Sequence, residues 1–214
     1  PAGAHTLKIA AYDAVGNRLN KTSTSYTQAS VSNDYTYNSA DQHLTENGIA
    51  YAYDLNGNLS SKIDSLGTTT YIYDYENRLV SVTLPSGTVA YQYDADGNRV
   101  AVSNAAGATK FLVDANRSLP QVLAEYKSNG TLLASYVYAD DVISMNRNGI
   151  VSYYHFDGLG STRLLSDIDG TVTDTFNYDA FGNLIFRTGA TVNEFLFTGQ
   201  QYDANVGFYY LRAR

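Results

Sequence analysis

The sequence contains no cysteine and no tryptophan, and it has a single methionine among 214 residues. Without cysteine the chain forms no disulfide bonds and has no thiolate chemistry, although this absence does not assign a compartment. Only 14 lysine and arginine residues are spread along the chain, and the formal net charge is −7. Because binding to the phosphate backbone of nucleic acids depends on clustered basic residues, nucleic acid is not an expected partner.

The chain also lacks an apolar run long enough to cross a bilayer, so no membrane span is predicted. Its first residues include neither an initiator methionine nor the basic-then-apolar pattern of a signal peptide. Its last residues are largely apolar and aromatic, without a polar tail. We therefore expect both ends to continue in a longer parent protein.

Tyrosine, by contrast, is abundant: the chain has 20 tyrosines, and 44% of all residues are of hydrophobic type. Large rings with a polar tip suit pleated, half-buried surfaces. Many of these rings stand at positions i and i+2, as in Tyr51 and Tyr53, and therefore fall on one face of a strand. No stretch shows a convincing helical period. These patterns predict a chain that is nearly all β.

A segment of the form Tyr-x-Tyr-Asp recurs every 20 residues, beginning at Tyr51, Tyr71 and Tyr91. The glycines of a second turn keep the same period: Gly67, Gly87 and Gly107. Variants of the segment continue on both sides and give about ten repeats. With two strands in each repeat, we predict roughly 20 strands, in a sheet that twist curls into a spiral or barrel-like wall.

Each repeat is interpreted as a β-hairpin whose turn begins at the aspartate. The short carboxylate accepts backbone N–H groups in an Asx-type turn, and the following Gly-Asn pair supplies positive φ. In the repeat that starts at Tyr71, Asn77 stands in the glycine position, as expected for a left-handed residue. The predicted turn residues are Tyr53, Asp54, Gly57, Asn58, Tyr73, Asp74, Asn77, Tyr93, Asp94, Gly97, Asn98, Tyr178, Asp179, Gly182 and Asn183.

The aspartates also admit chemical interpretations. The clusters 94–98 and 167–170 carry oxygen ligands that suit Ca²⁺, but they lack the spacing and the distal glutamate of an EF-hand loop. A glycosidase needs two facing carboxylates, whereas an aspartate that recurs at every turn singles out none. We predict no catalytic residue, no metal site, no cofactor and no enzymatic activity. Exposed tyrosines stack on sugars, which leaves a carbohydrate- or receptor-binding β module as the alternative function.

Two further motifs lie in the last third of the chain: Gly-Ser-Thr-Arg and, later, Gly-Gln-Gln-Tyr-Asp. Together with the Tyr-Asp repeats, they make the chain resemble the Rhs/YD-repeat family and its Rhs-associated core. Related shells occur in bacterial polymorphic toxins, in the C component of insecticidal toxin complexes and in teneurins. The residues that carry the core motif are Asp157, Gly160, Ser161, Arg163, Gly199, Gln200, Tyr202 and Asp203.

The resemblance implies a bacterial protein, secreted or at the cell surface, whose shell encloses a C-terminal toxin cargo of the parent chain. It also implies that the self-cleavage aspartates of the family follow beyond Arg214, so none is assigned here. We expect residues 1–20 to be the end of a preceding immunoglobulin-like module or a first repeat. Residues 21–150 would be hairpin repeats, and residues 151–214 a truncated core segment. The expected function is therefore a non-catalytic wall of an encapsulating shell.

Overall fold

A computed structural model of the protein describes residues 6–25 and 28–212. Within these residues the chain forms 20 strands and one short 3-10 helix, Phe197–Gly199. The predicted all-β class is therefore confirmed, together with the serial hairpins. The chain divides into two compact units. The first unit comprises Pro1–Asn77 and Val82–Ser86, and the second comprises Arg78–Ser81 and Gly87–Arg214.

The first unit is a series of antiparallel strands, each paired with the next one along the chain. Its strands are β1 Thr6–Tyr12, β2 Arg18–Ser25, β3 Gln28–Tyr37, β4 His43–Glu46, β5 Ile49–Tyr53, β6 Leu59–Asp64 and β7 Gly67–Tyr73. The next strand, β8 Leu79–Leu84, is divided between the two units. Rings pack along this unit: the His43 ring lies 4.8 Å from that of Tyr51 and 5.6 Å from that of Tyr35.

The second unit continues the pattern, with antiparallel pairing of each strand to its successor from β9 to β18. Its strands are β9 Gly87–Tyr93, β10 Arg99–Asn104, β11 Gly107–Asp114, β12 Gln121–Lys127, β13 Leu132–Tyr138, β14 Val142–Arg147, β15 Ile150–Phe156, β16 Thr162–Ser166, β17 Val172–Tyr178 and β18 Leu184–Thr188. A separate short hairpin, β19 Gln201–Asp203 with β20 Phe208–Tyr210, follows.

The register shifts by one residue next to the second tyrosine of many repeats. Tyr53 lies opposite Leu59 while Ala52 lies opposite Ser61, so one residue of the return strand is left unpaired. The same shift occurs beside Tyr138 and beside Tyr178. Such bulges bend a strand and increase its twist. Their recurrence gives the array of hairpins a built-in tendency to curl.

One face of the second unit is buried, and we call it the inner face; it carries Tyr91, Phe111, Tyr136, Tyr154 and Phe176. Burial alternates along its strands, as the period of two requires: the neighbouring positions in β13, β15 and β17 face outward and are more exposed. A chain segment that follows β18 packs against this face. It contributes two buried apolar side chains, Phe195 and Leu196, to the same core. Each apolar side chain of this size stabilises a fold by about 1.5–3 kcal/mol when fully buried.

Candidate docking site for the C-terminal segment

The turn at the tip of each repeat is closed by its aspartate. One carboxylate oxygen of Asp54 accepts the backbone N–H groups of Asn56 at 2.9 Å and Asn58 at 2.8 Å. The other accepts the Asn58 side-chain amide at 3.0 Å, and Gly57 has a φ of 81°. The same pattern recurs at Asp13, Asp94 and Asp179. Both oxygens of these aspartates therefore hold the turn, one through backbone N–H groups and the other through an asparagine side chain.

Those hydrogen bonds also favour the ionised carboxylate. The Asn58 side chain lowers the pKa of Asp54; desolvation opposes this effect, and the N–H groups of Asn58 and Asn56 add to it. The shorter turn at Asp74 places Asn77 in the left-handed region, with a φ of 60°. Its side-chain oxygen accepts the Asn58 amide at 2.8 Å. An asparagine in this position thus links neighbouring turns, which glycine cannot do.

The second tyrosine of several pairs ties one repeat to the preceding one. Its hydroxyl donates to the backbone carbonyl at the start of the previous return strand. The bonds join Tyr53 to His43 at 2.8 Å, Tyr93 to Leu79 at 2.8 Å, Tyr138 to Val122 at 2.9 Å and Tyr178 to Thr162 at 3.0 Å. The aspartate closes a turn, and the tyrosine before it anchors the strand.

Residues 189–212, which we call the C-terminal segment, dock on the inner face through the two core motifs. The backbone N–H of Thr198 donates to the buried hydroxyl of Ser161 at 3.0 Å. Thr162 donates its hydroxyl to the carbonyl of Phe195 at 2.7 Å and its N–H to that of Leu196 at 3.0 Å. These bonds hold the residues just before Gly199 on the Gly-Ser-Thr-Arg motif, although 37 residues separate Ser161 from Thr198. The two motifs also meet, since a Cβ on Gly199 would lie 3.4 Å from the carbonyl of Gly160.

Asp203 anchors the second half of the segment. Its carboxylate accepts the hydroxyl of Tyr91 at 2.8 Å and lies 3.7 Å from Nη1 of Arg99. Both charged side chains are buried, with exposures of 7% and 6%. The Arg99 guanidinium lies 4.3 Å from the ring centre of Tyr210. Burial, and after it the charge of Asp203, raises the pKa of Tyr91 well above its usual range, so this tyrosine donates.

A second polar cluster lies beneath the start of the segment. Glu125 is 1% exposed, accepts the hydroxyl of Tyr136 and pairs with Arg147 at 2.8 Å. Beside it, the hydroxyl of Tyr154 donates to the Asn193 side chain at 2.7 Å. Burial first, and then the charge of Glu125, raises the pKa of Tyr136 well above its usual range. The first rings of two aromatic pairs, Tyr136 with Tyr138 and Tyr154 with Phe156, therefore act as buried donors.

Two glycines leave room for the segment. A Cβ on Gly182 would lie 2.7 Å from the ring of Phe197, and one on Gly189 would lie 2.4 Å from the Asp174 carboxylate. The Asp174 carboxylate accepts the backbone N–H of Thr191 at 3.0 Å and the hydroxyl of Thr191 at 2.5 Å. Although burial raises the pKa of Asp174, the hydrogen bonds from Thr191, Thr173 and Arg187 together lower it more. Gly182 belongs to a Tyr-Asp turn, so one repeat turn also serves as a contact for the segment.

A pocket of about 290 Å³ remains between the segment and the inner face. Arg99 and Phe111 line one side, Leu184 and Arg187 line another, and Glu194 belongs to the segment. Residues from β10 and from β18 therefore face the same pocket, which shows that the sheet of this unit curls around the segment. Across residues 6–25 and 28–212, no group of three or more metal-binding side chains is assembled. Over the same residues, no helix is long and apolar enough to span a membrane.

The structure separates the predicted core-motif residues into two groups. Asp203, Ser161, Gly160, Gly199 and Tyr202 are at the docking site, where the Tyr202 N–H donates to Glu194 at 2.7 Å. Gln200 accepts a bond from Arg212 at 2.6 Å. Asp157 closes the turn that carries Ser161. The Arg163 side chain is 39% exposed, and its Nη1 lies 4.0 Å from Oδ2 of Asp157.

Sequence reasoning missed the buried residues Arg99, Glu125 and Asn193 and the partly buried Arg147. A signal for Arg99 exists, because an arginine often follows the turn and its guanidinium lies over a ring. Arg18 lies 4.5 Å from the ring of Tyr35, and Arg78 lies 5.3 Å from that of Tyr93. Arg99 has the same position in its repeat, and it additionally contacts the C-terminal segment.

Comparison with known proteins places these features in a family. Over 99 residues the chain is 34% identical to the tRNA3(Ser)-specific nuclease WapA of Bacillus spizizenii and 33% identical to the tRNA nuclease WapA of Bacillus subtilis. The match covers 44% of this chain and only 4% of each of these relatives.

Among solved structures, TcdB2-TccC3 without its hypervariable C-terminal region is 14% identical, with a TM-score of 0.34 over 96% of this chain and 18% of that chain. The Photorhabdus luminescens Tc holotoxin pore is also 14% identical, with a TM-score of 0.36 over 98% of this chain and 18% of that chain. The sequence matches the family model described as teneurin YD-shell over residues 4–214. Because that match spans almost the whole chain, this protein belongs to the teneurin YD-shell family.

Proposed function

We propose that this chain is a non-catalytic wall section of an encapsulating shell, in which the C-terminal segment closes the inner face. The observation that carries the proposal is the burial of the charged side chains that hold the segment. Asp203, Arg99 and Glu125 are all at least nine-tenths buried and each is engaged by a partner. Buried ion pairs that satisfy one another fix a structure, whereas catalytic groups need access to a substrate. We also propose that residues 151–214 act together as one core segment.

For the longer protein, we propose that the cargo is a C-terminal toxin domain and that the wall is secreted or held at the surface of a bacterial cell. The WapA relatives, which are named as nucleases, support a toxin-related setting. This chain spans 4% of their length, and we place the nuclease activity of those proteins elsewhere in their chains. A carbohydrate-binding surface is the second candidate, since the rings of Tyr12 and Tyr75 are 60% and 88% exposed. The buried tyrosines do not favour it. Tyr35, Tyr71, Tyr91, Tyr136 and Tyr154 are only 6–7% exposed, so their faces are closed to sugars.

Two assays test the proposal. In the first, the purified chain is incubated with total tRNA, and we expect the tRNA to remain intact. Cleavage that an Asp203→Asn or Glu125→Gln variant abolishes would assign chemistry to these carboxylates and overturn the non-catalytic function.

The second assay uses the longer parent protein and a protease. We expect the sequence downstream of this chain to resist digestion in the unmodified parent. Arg99→Ala should expose it, because this change removes the buried partner of Asp203. Equal digestion of the downstream sequence in both proteins would contradict the enclosing role.

A further inference from the structure

Three of the carboxylates around the C-terminal segment each face a guanidinium group. Asp203 has Arg99, Glu125 has Arg147, and Asp174 has Arg187 at 3.4 Å. A further carboxylate, that of Glu194, lies in the segment itself and lines the pocket of about 290 Å³. No hydrogen bond or ion pair engages this carboxylate within the described part of the chain. The remaining guanidinium of the segment, that of Arg212, donates to the Gln200 side chain and to the Pro120 carbonyl, so Glu194 is left without a basic partner among these groups.

Glu194 is partly buried, and its surroundings make an unpaired negative charge unfavourable. Its neighbours Asn193 and Phe195 are buried, and its backbone carbonyl accepts the N–H of Tyr202 at 2.7 Å. The residue is thus fixed on both sides. The charged and titratable groups that face it are Arg99 of β10, Glu125 of β12, Tyr136 of β13, Arg147 of β14, Tyr154 of β15, Arg187 of β18, and Tyr202 and Asp203 of β19.

We propose that Glu194 is a proton-dependent latch: the segment is held firmly while this carboxyl is protonated and is loosened when it ionises. The inference rests on the proposed function, in which the segment closes the inner face. An ionised Glu194 would add a third negative charge to those of Glu125 and Asp203, whose arginines are already engaged. A neutral carboxyl adds none and also gains an O–H donor for the polar pocket.

The direction of the pH effect follows from the two states of the carboxyl. Burial, and then the negative charge of Glu125, raises the pKa of Glu194 to about 7 from an ordinary value of 4.5. Between these values the docked state binds a proton that the undocked state does not, so docking strengthens as the pH falls. The stabilisation of the docked segment is complete below the ordinary pKa of 4.5 and is lost as the pH rises through about 7. The latch therefore closes in acid and loosens in mildly alkaline solution.

Amide hydrogen exchange on the 214-residue chain tests this proposal. The reporters are the N–H groups of Tyr202 and Leu196, which bond to Glu194 and Gln200 within the segment. Protection factors are compared at about pH 5 and about pH 8.5, because they correct for the pH dependence of the intrinsic exchange rate. We expect the protection of these amides to fall at least about tenfold at the higher pH, which corresponds to one unit of pKa shift. Amides of β5 and β6 report whether the chain remains folded.

The Glu194→Gln variant carries a permanently neutral side chain of the same shape. We expect it to keep high protection at both pH values, whereas Glu76→Gln, at an exposed turn position, should behave like the unmodified chain. Protection that does not change with pH overturns the latch but leaves the closing segment intact. A pH dependence that persists in Glu194→Gln assigns the effect to another group and likewise overturns it. Segment amides that exchange freely at every pH instead contradict the proposed function itself.

Discussion

The hairpin turns are stabilised by interactions between residues that are close in the sequence, whereas the docking site of the C-terminal segment is stabilised by interactions between residues that are far apart in it. At the turn of Asp94, the carboxylate bonds reach Asp96 and Asn98, at most 4 residues away. At the docking site, Asn104 donates to Asn205, a residue 101 positions later. A turn therefore forms from its own sequence, whereas the docking site exists only when the whole unit has folded. Damage should remain local in the first case and spread in the second.

The largest expected effect is at the docking site. In Arg99→Ala, the buried Asp203 loses its guanidinium partner, which destabilises a protein by about 3–5 kcal/mol. The change should appear as a lower midpoint of urea unfolding, and the segment should become sensitive to protease.

Arg117→Ala is the matched control, because Arg117 forms an exposed ion pair with Asp114 at the same distance of 3.7 Å. An exposed pair contributes about 0–1 kcal/mol, so this variant should unfold near the midpoint of the unmodified chain. Equal losses in both variants would show that the docking site is no more sensitive than the surface.

Two glycine substitutions also compare a turn with the docking site, and their expected losses of stability are smaller. Gly170 and Gly182 have φ values of 81° and 85°, so alanine at either position strains the backbone by about 1–2 kcal/mol. Only the Gly182 variant also meets Phe197, which adds about 1–3 kcal/mol of overpacking. Thermal unfolding should rank Gly182→Ala below Gly170→Ala. The opposite order would mean that Phe197 does not pack against this turn.

The bond between neighbouring turns predicts a still smaller effect. Asn77→Gly removes the acceptor of the Asn58 amide and should destabilise by about 0.5–1.5 kcal/mol, less any relief of backbone strain. Asn148 has a similar φ of 54°, and its replacement by glycine relieves only that strain. Chemical denaturation should therefore show Asn148→Gly to be neutral or stabilised. If Asn77→Gly is stabilised to the same extent, the inter-turn bond contributes nothing.

Acid should act on the turns in the direction opposite to its effect on Glu194. The pKa of Asp54 is lowered in the fold, so its contribution is present above 3.8 and disappears as the pH falls through the lowered value. Asp54→Asn should remove that part of the acid dependence. The effect of one exposed turn is small, and amide exchange of Asn58 near pH 3 measures it directly. No difference between the variant and the unmodified chain in this range would contradict the assignment.

The sequence predicted what local chemistry determines. The period of 20, the Asx turns and the left-handed Asn77 all depend on residues within a few positions of one another, and the structure has hairpins at those places. The docking site was only partly foreseen, through the two core motifs. Glu125 and Arg147 lie 22 residues apart and belong to no motif, so nothing in the sequence marks them as partners. The hydroxyl bonds of the second tyrosines were missed because they require the register between repeats.

The most direct test of the account is a cross-link between the sheet and the segment. The chain has no cysteine, so Asn104→Cys and Asn205→Cys together introduce the only two thiols, at side chains that are 2.8 Å apart. With a short bifunctional maleimide, we expect nearly complete intramolecular linkage in buffer and little in urea. The single variants show the background. Linkage in buffer no greater than in urea would contradict the claim that the C-terminal segment docks on the inner face.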